Sequence, residues 1–220
     1  GYVGEIISCS MGMVRGGVLA RSSDRTWQRD DDLGATTLTI PAGHSIDALR
    51  FVVGEFSEVS AMVSTQVPQW VESDTQQLLD ATAPDNILIS GRLANGAVVS
   101  IHVASIPWAG SGYRLEIYGR DGTLIATGDD SPQLIPFRLQ GARHGDQLEE
   151  LNVSAEHTYV LEGMPKGAPF NVGQLYYMFG EAIRGEANRQ PDFDTAVSLH
   201  RFIETVKRAS NNKHAVKILS

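Results

Sequence analysis

One cysteine, Cys9, occurs in the 220 residues. No disulfide can form within the chain, which fits a reducing compartment and sets the expectation of a cytoplasmic protein. No apolar stretch approaches the roughly 18 residues needed to span a bilayer, so no membrane partner is expected. Lys and Arg form no runs, and the formal charge is −8. Nucleic acids and anionic lipids attract clustered cations, so nucleic acid is not expected as a partner. The histidines, His44, His102, His144, His157, His200 and His214, show neither His-x-x-x-His nor Cys-x-x-Cys spacing, which argues against a zinc site. No Gly-x-Ser-x-Gly elbow is present, and Cys9 lies in an alternating pattern where inert buried thiols are common. The nearest approach to a dinucleotide fingerprint, Gly110-Ser111-Gly112, lacks the third glycine and leads into a strand. No Walker motif occurs. No cofactor is therefore expected for this chain alone.

What is present suits one globular domain: 42% of residues are hydrophobic and 20% charged. The opening Gly-Tyr-Val-Gly-Glu has no Met, resembles no signal peptide and runs at once into strand-like sequence, so the chain reads as a fragment or processed product. Residues 5–14 alternate weakly as a strand. A polar loop follows, carrying Arg21, Arg25, Trp27, Arg29 and three aspartates, Asp30 to Asp32. A helix begins at Gly43, with Ile46, Leu49 and Val53 on one face and Gly54 as a stop. Residues 59–67 read as a strand and 75–85 as a polar connection. Strands at 86–93 and 97–106 flank Asn95-Gly96, and strands at 113–118 and 123–127 flank Asp121-Gly122; both dipeptides are hairpin signals. Residues 134–139 and 148–153 are weaker strand candidates.

The end turns helical. Val172, Leu175, Tyr176, Phe179 and Ile183 form an apolar stripe closed by Gly185, which places Tyr176 in a core. A second stripe follows Pro191 (Phe193, Val197, His200, Phe202 or Ile203, Val206), with Asp192 or Asp194 available as its cap. The expected fold class is α+β: an open, mainly antiparallel sheet with helices on one face. The other face is left for a homo-oligomer partner.

One stretch carries candidate chemistry: Thr36-Thr37-Leu38-Thr39-Ile40-Pro41-Ala42-Gly43-His44-Ser45-Ile46-Asp47. His44 falls where an apolar run meets the first turn of a helix. A histidine there can donate or accept a proton near neutral pH. It can equally be a structural residue of the helix start.

The order of motifs resembles a known family. Gly-Tyr-Val-Gly-Glu-Ile at the start, Trp27, Gly43-His44-x-x-Asp47-x-Leu49, Gly54-Glu55, Gly119-x-x-Gly122-Thr123-Leu124, Glu181-Ala182-Ile183-Arg184-Gly185 and Pro191-Asp192-Phe193 together resemble the C-terminal domain of Gfo/Idh/MocA oxidoreductases. The Thr39 to His44 version is most similar to the subgroup that includes the fungal galactose-pathway repressor. The resemblance implies that residues 1–220 are a substrate-binding and oligomerisation domain, and that the Rossmann domain holding NAD or NADP is absent from this chain. It implies action on a sugar, polyol or similar hydroxy compound. Within it, His44 is the proton-exchanging, catalytic residue, and Arg25, Trp27, Asp31 and, less strongly, Tyr177 are substrate-binding candidates. Position 40, an aspartate in many members, is Ile40 here. That departure supports an alternative, a non-catalytic ligand-sensing or regulatory protein on the same scaffold.

Overall fold

A computed structural model of the chain describes residues 1–187 and 190–218. In chain order the elements are β1 (Ile6–Gly16), β2 (Ala20–Arg21), short 3-10 turns at Thr26–Arg29 and Asp31–Leu33, a wide turn at Leu38–Ala42, and α1 (Gly43–Val53). Then come β3 (Phe56–Ser64), β4 (Gln69–Glu72), β5 (Leu78–Asp80), β6 (Asn86–Leu93), β7 (Val98–Ile106), β8 (Gly112–Gly119), β9 (Gly122–Gly128), β10 (Arg138–Arg143) and β11 (Glu149–Glu150). The chain closes with α2 (Ala168–Ile183), α3 (Phe193–Asn212) and β12 (Val216–Lys217).

Among the described residues, nine strands form one sheet in the order β11-β10-β9-β8-β1-β7-β6-β3-β12. Every pairing in it is antiparallel except β1 with β7, where Cys9 faces Val99 and Met11 faces Ile101. A small second sheet, β2-β4-β5, stands apart from it. The fold is thus α+β with a mostly antiparallel sheet. Two expectations are corrected. The strand near 134–139 lies later, at Arg138–Arg143, and the connection at 75–85 contains β5.

The two-residue alternation of the strands decides which face is buried. Cys9, Met11 and Met13 on β1, Ile87 and Ile89 on β6, and Val99, Ile101 and Val103 on β7 all point into one core. Ile46 and Leu49 of α1, with Phe202, Ile203 and Val206 of α3, cover that face. Arg50 ties the two helices together: its Nε donates to Glu55 (2.8 Å), its Nη2 donates to Ser198 Oγ (2.6 Å), and its guanidinium lies over Phe202. The start of α3 is held by a capping box between Asp192 and Thr195. On the open face of the sheet, Ser10, Ser100, Ser90 and Ser60 stand in register across β1, β7, β6 and β3, beside exposed Leu88 and Met62.

α2 departs from the expectation of a buried stripe. Its helix forms, with Gly167 at positive φ before it, but Val172, Leu175, Tyr176, Phe179 and Ile183 are all exposed. Periodicity showed that these residues share a face, while Tyr176, expected in a core, is 70% exposed.

Cys9 is 1% exposed on a central strand, and burial pushes its thiol up to about 11. A shift of that size leaves about a hundredfold less thiolate than an ordinary cysteine. The folded chain is expected to react with Ellman's reagent at least about a hundredfold more slowly than the urea-unfolded chain. Equal rates would show that the strand opens far more readily than its packing implies.

Candidate functional site

Pro41 explains the wide turn before α1. In a regular helix the N–H of residue 41 would donate to the carbonyl of Thr37, and proline has no N–H. Ala42 takes that carbonyl instead, with N···O 2.9 Å, which inserts one residue and produces a π-type turn. Ser45 Oγ donates to the Pro41 carbonyl at 2.9 Å, and Thr37 Oγ1 donates to Ser105 Oγ at 2.9 Å, fixing the turn to the end of β7. Ala42, Ile46 and Leu49 face the core. Ile40, His44 and Phe51 lie on the opposite, solvent side. Among the described residues the His44 imidazole has no hydrogen bond and no ion pair, so both ring nitrogens are free for a ligand.

Beside this turn lies a cavity of about 370 Å³. Ile40, Pro41, Thr36 and Thr37 form one wall, and the end of β1, the segment after it and the small sheet supply the rest, including Arg15, Arg21, Arg25, Gln28 and Trp70. The small sheet is anchored from two sides. Buried Asp85 accepts from the backbone N–H groups of Gln66 (2.9 Å) and Val67 (2.7 Å), which sets the reversal into β4. Buried Glu72 accepts from Thr26 Oγ1 at 3.1 Å, tying the first 3-10 turn to β4. Trp70, buried on β4, carries the Arg21 guanidinium over its ring at 5.3 Å. Burial first, and then the charges of Arg25 and Arg15, lower the Arg21 pKa from its ordinary value.

Of the residues singled out in the sequence, Arg25 and Ile40 line this cavity. His44 stands four residues beyond Ile40, outside the lining. Trp27 is 46% exposed on the Thr26–Arg29 turn and does not line the cavity. Asp31 lies on another surface, beside Val63, Thr65 and Lys207, and its backbone N–H donates to Thr82 Oγ1. Tyr177 is on α2, stacked against Tyr159 at 5.2 Å. Arg15, Arg21, Gln28 and Trp70 were not found from sequence. Their signal would have been three spaced arginines, at 15, 21 and 25, with no lysine among them, read together with the glycines of that loop.

The Gly110-Ser111-Gly112 segment does not fit the pyrophosphate of a dinucleotide. A Cβ on Gly110 would lie 2.1 Å from the Val14 carbonyl oxygen, and one on Gly112 would lie 2.3 Å from that of Gly128. These glycines serve close backbone packing beside β1 and β9, leaving no open cradle for a pyrophosphate. Among the described residues no group of His, Cys, Asp and Glu could hold a metal ion. Also among them, no helix is long and apolar enough to cross a membrane.

Comparison with known proteins places the chain in a family. The family described as "Gal80p, C-terminal domain" matches residues 1–128. An uncharacterized oxidoreductase of Synechocystis is 25% identical over 194 residues, 87% of this chain and 52% of that protein. Levoglucosan dehydrogenase of Pseudarthrobacter phenanthrenivorans is 27% identical over 139 residues, 57% of this chain and 36% of the dehydrogenase. Among solved structures, a super-repressor mutant of Gal80p from Saccharomyces cerevisiae matches with a TM-score of 0.83 at 21% identity, over 99% of this chain and 59% of that one. Levoglucosan dehydrogenase, solved with NADH and levoglucosan, matches with a TM-score of 0.80 at 20% identity, over 100% of this chain and 60% of that one. The chain thus spans about half the length of these proteins. It belongs to the family of domains like the C-terminal domain of Gal80p, a Gfo/Idh/MocA-type C-terminal domain.

Proposed function

We propose that this chain is the substrate-side domain of an NAD(P)-dependent oxidoreductase acting on a sugar, polyol or similar hydroxy compound. The observation that carries the reading is His44: exposed, unpartnered among the described residues, and one turn past the Pro41 bulge that rims a polar cavity. Relatives named as oxidoreductases support it. A substrate hydroxyl at the cavity mouth would give its proton to His44, or recover it in the reverse direction. Arg25 would contact the rest of the substrate. Trp27 does not line the cavity, and Asp31 and Tyr177 lie on other surfaces, so none of the three has a role assigned here. The nicotinamide would be held by another domain, since the Gly110-Ser111-Gly112 segment is closed against a pyrophosphate. The open face with the serine row would pack against a second copy.

A regulatory reading rests on Ile40. An isoleucine four residues before His44 cannot accept a hydrogen bond and so cannot orient the ring. In that reading the cavity binds a ligand and no redox step follows, as the name of Gal80p, a regulatory protein, suggests.

The test is a panel of sugars and polyols with NAD and with NADP, using this chain joined to its nucleotide-binding domain. Reduced cofactor from at least one substrate is expected. Binding of a sugar without reduction of either cofactor would favour the regulatory reading.

A further inference from the structure

We propose that the cavity takes an anionic polyhydroxy ligand, one bearing a carboxylate or phosphate group, which Arg21 and Arg25 hold. This rests on the preceding reading of the cavity as a substrate pocket, and it adds the charge class of the ligand. In a chain with a formal charge of −8, three guanidiniums converge on one cavity whose lining contains no Asp or Glu.

The three arginines differ in what already occupies them. Arg15 is paired with Asp130, which lies outside the lining, with Nε···Oδ1 2.6 Å and Nη2···Oδ2 3.4 Å. That pair orients the side chain and neutralises its charge. Arg21 is fixed by stacking on Trp70 and by donating Nη1 to Gln28, a neutral acceptor. It has no carboxylate within 4.0 Å among the described residues, and its buried Nε has no hydrogen-bond partner. Arg25 is exposed and has no ion pair among the described residues; neighbouring Asp24 accepts from Ser22 instead.

Two cations therefore face the cavity without a counter-charge. Mutual repulsion between such groups is a standing cost unless an anion relieves it, and the lowered Arg21 pKa has that cause in part. A planar, multi-donor guanidinium matches the oxygens of a carboxylate or phosphate in two-point contact. Arg21 is suited to the role because stacking and Gln28 have already restricted its rotamers. The hydroxyls of Thr36 and Ser22, also in the lining, suit the hydroxyl groups of the same ligand.

Isothermal titration calorimetry of the 220-residue chain tests this with D-glucuronate, D-glucose 6-phosphate, inorganic phosphate and D-glucose at low and high salt. The expected result is that one or both anionic sugars bind at least about tenfold more tightly than glucose, with affinity falling as salt rises. The stronger of the two identifies carboxylate or phosphate as the anionic group. Arg25→Gln, at an exposed position, is expected to weaken that binding at least about tenfold with an unchanged melting temperature. Arg92→Gln, on β6, is the control and should change nothing. Glucose binding as well as glucuronate and glucose 6-phosphate overturns the anion proposal and leaves the carbohydrate reading standing. Inorganic phosphate binding as tightly as the sugar phosphate supports the anion site and removes the carbohydrate reading. Anion binding untouched by Arg25→Gln, or no heat from any probe, overturns the proposal.

Discussion

Asp85→Ala is expected to destabilise the chain by about 3 to 5 kcal/mol. Asp85 is fully buried, and its two oxygens meet several donors. Oδ1 accepts from Gln66 N (2.9 Å) and Asn86 Nδ2 (2.9 Å), and Oδ2 accepts from Val67 N (2.7 Å) and Gln66 N (3.1 Å). Alanine would leave two backbone N–H groups and an amide without acceptors in a place water reaches poorly. Each such group costs about 1–3 kcal/mol. For a chain of this size the melting temperature should fall by about 10 °C. Asp85→Asn should cost less, because one carbonyl oxygen remains, although its NH2 must then face N–H donors. Thermal or urea melts of both variants would check the order. A loss below about 1 kcal/mol for Asp85→Ala would mean that the 64–68 reversal is held by something other than this carboxylate.

The consequence reaches the cavity, because Asp85 sets the path of the chain into β4. Trp70 on β4 lies beneath Arg21, so the wall of the cavity depends on a carboxylate that touches none of its lining. That dependence was not legible in the sequence. Asp85 stood at the edge of a polar connection, and the strands β2, β4 and β5 are only two to four residues long. Strands so short show no alternation to read.

Other parts were legible for identifiable reasons. α1 begins at Gly43 and stops before Gly54 as its pattern required, because Ile46, Leu49 and Val53 recur at helical spacing and Gly54 has a positive φ of 93°. The hairpins at Asn95-Gly96 and Asp121-Gly122 are local, so their turn residues suffice to place them. The parallel pairing of β1 with β7 joins residues about 90 apart in sequence, and alternation gives a strand its face without naming its neighbour. The arginines of the cavity share that difficulty. Arg15 lies at the end of β1, Arg21 in the two-residue β2 and Arg25 in the loop after it, and Trp70 arrives on β4 from about 50 residues later. Only the folded chain brings them together.

His44→Ala, in the chain joined to the nucleotide-binding domain proposed for it, is expected to lower kcat by about 100- to 10,000-fold with a small change in KM. The size follows from the role proposed for His44: a positioned proton acceptor contributes to the transition state and little to ground-state binding. Folding should be indifferent to the change. His44 is exposed and makes no hydrogen bond or ion pair among the described residues, and surface changes of that kind usually stay within about 0.5 kcal/mol. A large loss of activity with an unaltered melting curve therefore cannot be attributed to a damaged α1. His44→Ala should also remove one limb of the pH profile of kcat/KM, which a purely structural residue would not do. Ile40 makes this a sharper test. With an isoleucine at that position, no carboxylate stands four residues before His44 to orient the imidazole or take over its proton. If activity survives His44→Ala within a few fold, the proton goes elsewhere and the cavity mouth has been assigned the wrong acid–base group. If no activity exists to lose and the ligand binds as before, the bulge made by Pro41 frames a binding site alone.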